Sequence, residues 1–508
     1  MEEDQLLTPQ RLRDGHPCVQ EDKFRYNVKG AMLQGGSWNL EGLQIRELNL
    51  EDCQLLSPIK LRLDPALQAL RIHNLSGAFK SEHPLSPADL QVETTANLAR
   101  IELSGTSNIS MMLSTISVVD CDVSGAIEKL AFVSTQFRGK VTVSQLRTDD
   151  IRFGVCQFED RLDISGLRSD WLVFHMCQLG RRVSLLGIEG HKNELKLSID
   201  SCTAIGEFLS LVEIEADAIF LSGLRIKSEA SVSLLRVNAK RFLDWSHVEL
   251  DKSARIEFRH TPLCVSYFAR TPLERVEIGV GCWDGNDDAT KLYVHNVLKS
   301  GTADKVQFRP VQFGNWPISL PMSEVIQHTR ENYSQLVKYY EERRDFELAE
   351  KFYIGEMHML RWKLSTSKNR MLALFQRNIS AIGLYWLLSV YGSSYRRALL
   401  SLLCMTLGFA VLFMVTGLDC TNGAIGCGQI SYPNVGGDNF ANFRKVGSDL
   451  SSAIAYVLDV ATLQKELAYR PKGLLSNFVR SAVIVAFASQ VALLVFALRR
   501  RFRRATSI

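Results

Sequence analysis

Residues 132–190 contain three stretches that align without gaps: FVSTQFRGKVTVSQLRTDD from Phe132, FGVCQFEDRLDISGLRSDW from Phe153 and FHMCQLGRRVSLLGIEG from Phe174. The offset is 21 residues. It places Phe132, Phe153 and Phe174 in one column, Phe137, Phe158 and Leu179 in a second, Val143, Ile164 and Leu185 in a third, and Leu146, Leu167 and Ile188 in a fourth. Apolar residues alternate in short runs such as Val141-Thr142-Val143 and Leu162-Asp163-Ile164 instead of recurring at a helical period. Short strands separated by polar corners are therefore expected. A repeat of this length suits one coil of a right-handed β-helix, in which stacking buries each apolar column against its copies. The pattern continues more loosely through Ile199, Phe220 and Phe242.

Within the coils runs a five-residue grain, a small residue two before Leu or Phe: CQFED, CQLGR, SQLRT, SGLRS, SGLRI, and earlier LNLED, CQLLS and ANLAR. This grain resembles the pentapeptide-repeat family, whose A-(D/N)-L-x-x units build a four-sided right-handed coil; Ala96-Asn97-Leu98-Ala99-Arg100 matches it most closely. The reading assigns residues 1–40 to an N-terminal cap and 41–310 to the solenoid. Gln136, Gln157 and Gln178 superpose as an amide ladder or solvated corner. Asp149 with Asp170, beside Arg147 with Arg168, form a second polar column. Paired carboxylates in a β-helix groove could act as acid and base on a polysaccharide, whereas alternating surface charges at turns account for the same pattern more simply.

The net charge of +4 is too small for the chain to be read as a nucleic-acid binder, and none is expected as a partner. The start, MEEDQLLTPQRLRDGHP, is polar and lacks an apolar signal core, so the first 300 or so residues are expected in the cytosol. Eight cysteines, from Cys18 to Cys282, lack the close pairs of zinc sites and read as small apolar fillers. No metal or other cofactor is expected, and no catalytic cluster is evident.

Helix is expected from Ser323. Tyr333, Leu336 and Tyr340 lie on one face, and Ala349, Tyr353 and Met357 on another after a break near Arg344-Asp345. This linker, 322–367, looks like a single tetratricopeptide-type hairpin, which needs the solenoid's end or another subunit to bury its face.

Residues 378–508 read as a membrane module. The segment 398–417 has no charged residue and is about 30 Å long as a helix, the thickness of a bilayer core. A second span is expected at 478–498. Between them, 418–447 forms a loop and 449–463 a re-entrant or interfacial helix, since Asp459 argues against a third crossing. Residues 379–391, with Tyr385 and Trp386, read as an interfacial helix. Basic flanks, Arg396 and Arg397 before the first span and the tail 499–508 after the second, place both termini in the cytoplasm. Cys420 and Cys427 would then face the exterior, as a disulfide or as two free thiols.

The order of interfacial helix, basic SSYRR, span, loop, short helix, span and basic tail looks like the C-terminal module of bacterial pentapeptide-repeat proteins with an ion-channel-like two-helix segment. That resemblance implies a short pore helix and several subunits around a path in the bacterial inner membrane. DVATLQKELAYRPKG (459–473) contains no Thr-Val-Gly-Tyr-Gly-like filter, so no ion selectivity follows. The mixed fold expected is thus a β-solenoid, a helical hairpin and a two-helix transmembrane hairpin.

Polar groups near a bilayer are costly unless they face protein or water, which makes Asp459, Thr462, Gln464, Lys465, Glu466, Ser489 and Gln490 candidate pore-lining residues. For Gln490 an interhelical hydrogen bond is the equal alternative, and for Lys465 and Glu466 an interface ion pair is favoured. The leading expectation is a homo-oligomeric pore or channel-like effector, not an enzyme. Its cytosolic solenoid senses a ligand or protein, and by analogy it serves stress response or anti-phage defence. A non-conducting membrane-tethered scaffold is the second reading, and a carbohydrate-active β-helix enzyme the third.

Overall fold

The computed structural model describes residues 6–505 except 15–18, 23–24, 41–42, 64–65, 78–89, 94–96, 106–109, 193, 228, 285–288, 301–321, 364–377, 422–428, 433–442 and 465–466. The chain divides into two units, Met1–Leu336 and Val337–Ile508.

In the first unit, parallel pairing from coil to coil builds a β-solenoid of about 11 turns, consistent with a pentapeptide-repeat β-helix. Phe132 is the register partner of Phe153, and Phe153 of Phe174; their rings stack with centroids 5.3 and 4.8 Å apart. Phe137 and Phe158 stack at 4.9 Å. Val143, Ile164 and Leu185 pair in the third column, as the 21-residue offset requires.

Each coil in this region has three ladders. The first half of the strand Lys140–Gly154 pairs with Arg161–Ser165, its second half pairs with Arg168–His175, and Gln136–Phe137 pairs with Gln157–Phe158. The coil turns two corners on left-handed residues. Ser134, Val155 and Met176 occupy one corner column at φ 51°, 54° and 51°, and Gln145, Gly166 and Gly187 the other at 49°, 59° and 61°. A β-branched Val in this conformation is strained. The stack imposes it: Val155 N donates to His175 O at 2.8 Å, as Ser134 N does to Gly154 O.

The residue after the first corner points inward and satisfies a carbonyl of the neighbouring coil. The thiols of Cys156, Cys177 and Cys202 donate to Phe132 O, Phe153 O and Phe174 O at 3.4, 3.1 and 3.5 Å. Thr261 uses its hydroxyl in the same way toward Leu234 O at 3.2 Å. These cysteines are therefore hydrogen-bond donors as well as fillers. At the third corner the backbones approach so closely that a Cβ on Gly180 would lie 2.0 Å from Phe158 O, and one on Gly206 1.9 Å from Gly180 O.

Past Leu179 the period lengthens. Gln178 pairs with Thr203, Thr203 with Arg225 and Arg225 with Glu249. Phe220 faces Ser198 and Phe242 faces Ala218, so Ile199, Phe220 and Phe242 do not form the single column expected. The lengthening around 189–195 still leaves Ile199 opposite Phe174; the misfit comes later, where Ser198 pairs with Phe220 and a register shift between Ala216 and Ala218 precedes the pairing of Ala218 with Phe242.

The solenoid also starts earlier and ends earlier than its expected bounds. Arg25–Lys29 already stacks in parallel on Glu47–Glu51, while Val19–Asp22 pairs with it antiparallel. Leu6–Leu7 already pairs in parallel with Met32–Leu33, and helix α1 (Pro9–Asp14) adds Leu12 beside Val28, Leu33 and Trp38, so α1 helps cover this end. Among the described residues, the last ladder strand is Val276–Ile278. Helices α2 (Tyr293–Ser300) and α3 (Met322–Glu342) follow, and Val294 and Val325 pack on Tyr267 and Ala269 of the last coil. Tyr333, fully buried, accepts from Leu292 N at 2.8 Å. The first part of α3 thus covers the solenoid's C-terminal end, one of the two packings expected for it.

The second unit is helical: α4 (Phe346–Lys363), α5 (Ala381–Ser389), α6 (Tyr395–Thr416), α7 (Phe443–Ala461) and α8 (Leu474–Ala505). The break falls at 343–345 as expected, and Tyr340 stacks on Phe352 across it at 5.4 Å. The buried face of α4 is Ala349, Phe352, Gly355 and Met359, so Phe352 takes the place expected for Tyr353.

Candidate functional site

Helices α6 and α8 are long and apolar enough to cross a membrane, yet only 28% and 22% of their apolar windows are buried. A core helix of a water-soluble domain would be mostly covered. Leu400, Leu403, Leu407 and Val411 on α6, and Phe478, Val485 and Val495 on α8, are instead exposed. Contiguous apolar surface of this kind marks a membrane or partner contact.

Local sequence sets the entry to α6. Ser380 caps α5 by accepting from Gly383 N at 3.1 Å, and the helix ends on three left-handed residues, Val390, Tyr391 and Gly392. Ser389 Oγ accepts from Gly392 N at 2.9 Å, and Ser394 then caps α6. A Cβ on Gly392 would lie 2.9 Å from the Phe496 ring of α8, so this turn admits only glycine.

Hydrogen bonds fix α6 and α8 antiparallel at both ends. Gln490 Nε2 donates to Ala398 O at 2.8 Å and to the Ser401 hydroxyl, and Ser476 Oγ donates to Gly417 O at 3.2 Å. Gln490 is 1% exposed. Beyond Gly417 the strand Leu418–Cys420 pairs antiparallel with Tyr469–Pro471. Cys420 is disulfide-bonded. Cys427 lies outside the described residues, as do Lys465 and Glu466.

Helix α7 packs against both. Ala453, Tyr456, Val457 and Val460 join Ala410, Phe413 and Met414 of α6 and Val479, Val483 and Phe487 of α8 in one apolar cluster. Tyr432 N donates to Met414 O at 2.9 Å, and its hydroxyl donates to the Asp449 carboxylate. That bond to Asp449 pushes the Tyr432 phenol up to about 12. With its apolar side so engaged, α7 turns the opposite stripe outward: Ser448, Ser451, Ala455, Leu458 and Thr462 are exposed and Asp459 is half-buried. Gln464 is exposed just beyond the helix, and Ser489 is exposed on α8 with its hydroxyl on Val485 O at 2.8 Å. Of the sequence candidates, Asp459 and Thr462 share this stripe, whereas Gln490 sits between α6 and α8. Ser448, Ser451 and Ala455 are not among those candidates; their signal in the sequence is the complement of the Leu450, Ala453, Ile454, Val457 and Val460 period.

No protein-family model, curated protein or solved structure matches the chain.

On the solenoid, the polar column has structural duties. Asp170, 6% exposed, accepts from the backbone N–H of His191 and Lys192 at 3.1 and 2.8 Å, and Asp149 binds Lys192 Nζ at 2.8 Å. Both carboxylates thereby hold the inserted turn. Arg147 and Arg168, register partners, edge an open recess of about 600 Å³ together with Gly125 and Gly166. Gln136, Gln157 and Gln178 lie in register, but the Gln136 amide donates to Glu159 at 2.5 Å. Among the described residues, no three His, Cys, Asp or Glu side chains gather as a metal site.

Proposed function

We propose that the chain is a membrane-anchored solenoid whose α6 and α8 cross the bilayer as a hairpin and whose copies assemble around a conducting path lined by α7. The carrying observation is the contrast between outward faces. Those of α6 and α8 are mainly Leu, Val and Phe, with Asn477, Ser481 and Ser489 exposed on α8, while that of α7 is mainly small and polar, Ser448, Ser451, Ala455 and Thr462, with Leu458 exposed among them and Asp459 half-buried beside them. In a bilayer a polar stripe is stable only against protein or water. One copy cannot enclose water with a single stripe, so several copies around an axis follow from the reading. Gln490, bonded to α6 of its own chain, is assigned to holding the hairpin together. The solenoid, with both ends capped, serves as the sensing or docking domain, and the basic flanks support its placement in the cytoplasm.

The test is ion flux through liposomes carrying the purified full-length chain. Flux that falls several-fold in Ser451→Trp and changes cation preference in Asp459→Lys is expected. Absence of flux from oligomeric wild-type protein would leave the hairpin as a tether for the solenoid, a reading favoured by the intrachain bonds of Gln490.

A further inference from the structure

Between Glu356 and Asp419 the sequence contains no Asp or Glu, and none follows Glu466. The end of the helical unit at which α6 begins and α8 finishes is therefore cationic without acids of its own segments to balance it. Arg361 of α4 and Arg397 of α6 converge on one ring, their guanidinium carbons 4.1 and 4.8 Å from the centroid of Trp386 on α5. Arg361 is 5% exposed and donates to Asn378 Oδ1 at 2.6 Å. Arg396, exposed, donates through Nε to the Tyr395 hydroxyl at 3.1 Å. Among the described residues, Arg396 and Arg397 have no carboxylate within ion-pair range. Both also lie in the first turn of α6, where the peptide dipoles already concentrate positive charge and a cation is destabilised. Two guanidiniums placed there call for an anion from outside the chain.

The neighbouring surface says which kind. One turn along α6, Leu399 and Leu400 are 45% and 60% exposed, and Phe496 of α8, packed against Gly392 at the same level, is 43% exposed. A free phosphate would answer the charge and leave this apolar surface bare, whereas a lipid answers both. We propose that this corner holds a phospholipid of net negative headgroup. Arg396 and Arg397 donate to its phosphate, the Trp386 ring lies at the glycerol level, and the acyl chains run along Leu399, Leu400 and Phe496. A guanidinium fork suits a phosphate better than an ammonium does, and contact with the Trp386 ring keeps that of Arg397 oriented for it. The inference rests on the membrane reading above and deepens it, since it makes leaflet composition a ligand of the module.

Native mass spectrometry of the full-length chain, released from nanodiscs of equal phosphatidylglycerol and phosphatidylcholine, tests it. Wild type is expected to retain phosphatidylglycerol about tenfold over phosphatidylcholine. Arg396→Gln with Arg397→Gln should bring the two near parity, and Lys472→Gln, at the other end of the bundle, should leave the preference intact. Arg397→Lys, which keeps the charge and the fold, should lose part of the preference. Equal retention by wild type, or an unchanged preference in the double variant, would overturn the site while leaving membrane insertion standing. Displacement of the bound lipid by millimolar glycerol phosphate, or by an acidic protein recovered at the same corner, would overturn the lipid assignment. Failure of the wild-type chain to float with liposomes of either composition would remove the membrane reading and the site together.

Discussion

In the solenoid each coil supplies what the next one lacks, and in the helical unit much is left for the surroundings to supply. Arg25 meets Glu47 at 3.1 Å, Arg225 meets Glu249 at 3.0 Å and Arg236 meets Glu213 at 2.9 Å, each one coil away. The phenylalanine columns are likewise buried against their own copies. Helices α6 and α8 leave their apolar faces uncovered, and their basic ends have no acidic residues nearby in sequence. Repetition produces the first pattern, because a residue and its partner occupy the same place in successive coils. The second leaves apolar and basic surface unmatched within the chain, which is what the proposed function draws on.

The largest expected contrast is between apolar residues of the two kinds. Phe153→Ala empties a site between two stacked rings and should cost about 3–5 kcal/mol in urea unfolding of the solenoid. Leu403→Ala, at 55% exposure on α6, should cost under about 0.5 kcal/mol for the protein in bilayers, where lipid replaces the lost contacts. Equal losses would break the distinction.

Next comes a titration within the solenoid. Burial pushes the Asp244 carboxyl up to about 6, partly offset by the bonds from Ser246. A folded-state value above the unfolded one favours the protonated form in the native state. The stabilisation is therefore present below about pH 4 and lost as pH rises through about 6. The loss should stay below about 3 kcal/mol, and be smaller to the extent that Asp244 retains solvent contact. Asp244→Asn should flatten stability over that window, as seen in urea midpoints at a series of pH values.

Gln490→Leu removes the bonds to Ala398 and Ser401 and should destabilise the pairing of α6 with α8 by about 1 kcal/mol, measured by steric trapping in bicelles. The smallest effect is expected from Glu249→Lys, which sets two cations in register. It should lose less than about 1 kcal/mol, and less still in 1 M salt.

The solenoid is legible in the sequence where its period holds. Phe132, Phe153 and Phe174 recur at one spacing, and large identical rings at a fixed offset of strand-like segments bury themselves best by stacking on one another. The corners are not legible, because Val155 and Met176 are poor candidates for left-handed backbone and adopt it only where their N–H groups donate to carbonyls of the next coil. The shift past Leu179 is hidden for a related reason: inserted residues move register without changing composition. On α4 the true face differs by one position from the expected one, since Phe352 and Tyr353 are both aromatic and only packing chooses between them. The stripe on α7 is half legible. Asp459 and Thr462 stand out as polar, but Ser and Ala suit any helix face, and contact with α6 and α8 decides which ones are left outside. No local signal joins Gln490 to Ala398, 92 positions away.

Spin-label accessibility at three sites in the liposome-reconstituted chain tests the central claim most directly. Labels at Leu403 and Val485 should relax with oxygen and ignore a water-soluble nickel chelate, while a label at Ser451 should respond to the chelate. Access of the chelate to all three, or its exclusion from all three, would contradict an arrangement in which α6 and α8 face lipid and α7 faces water.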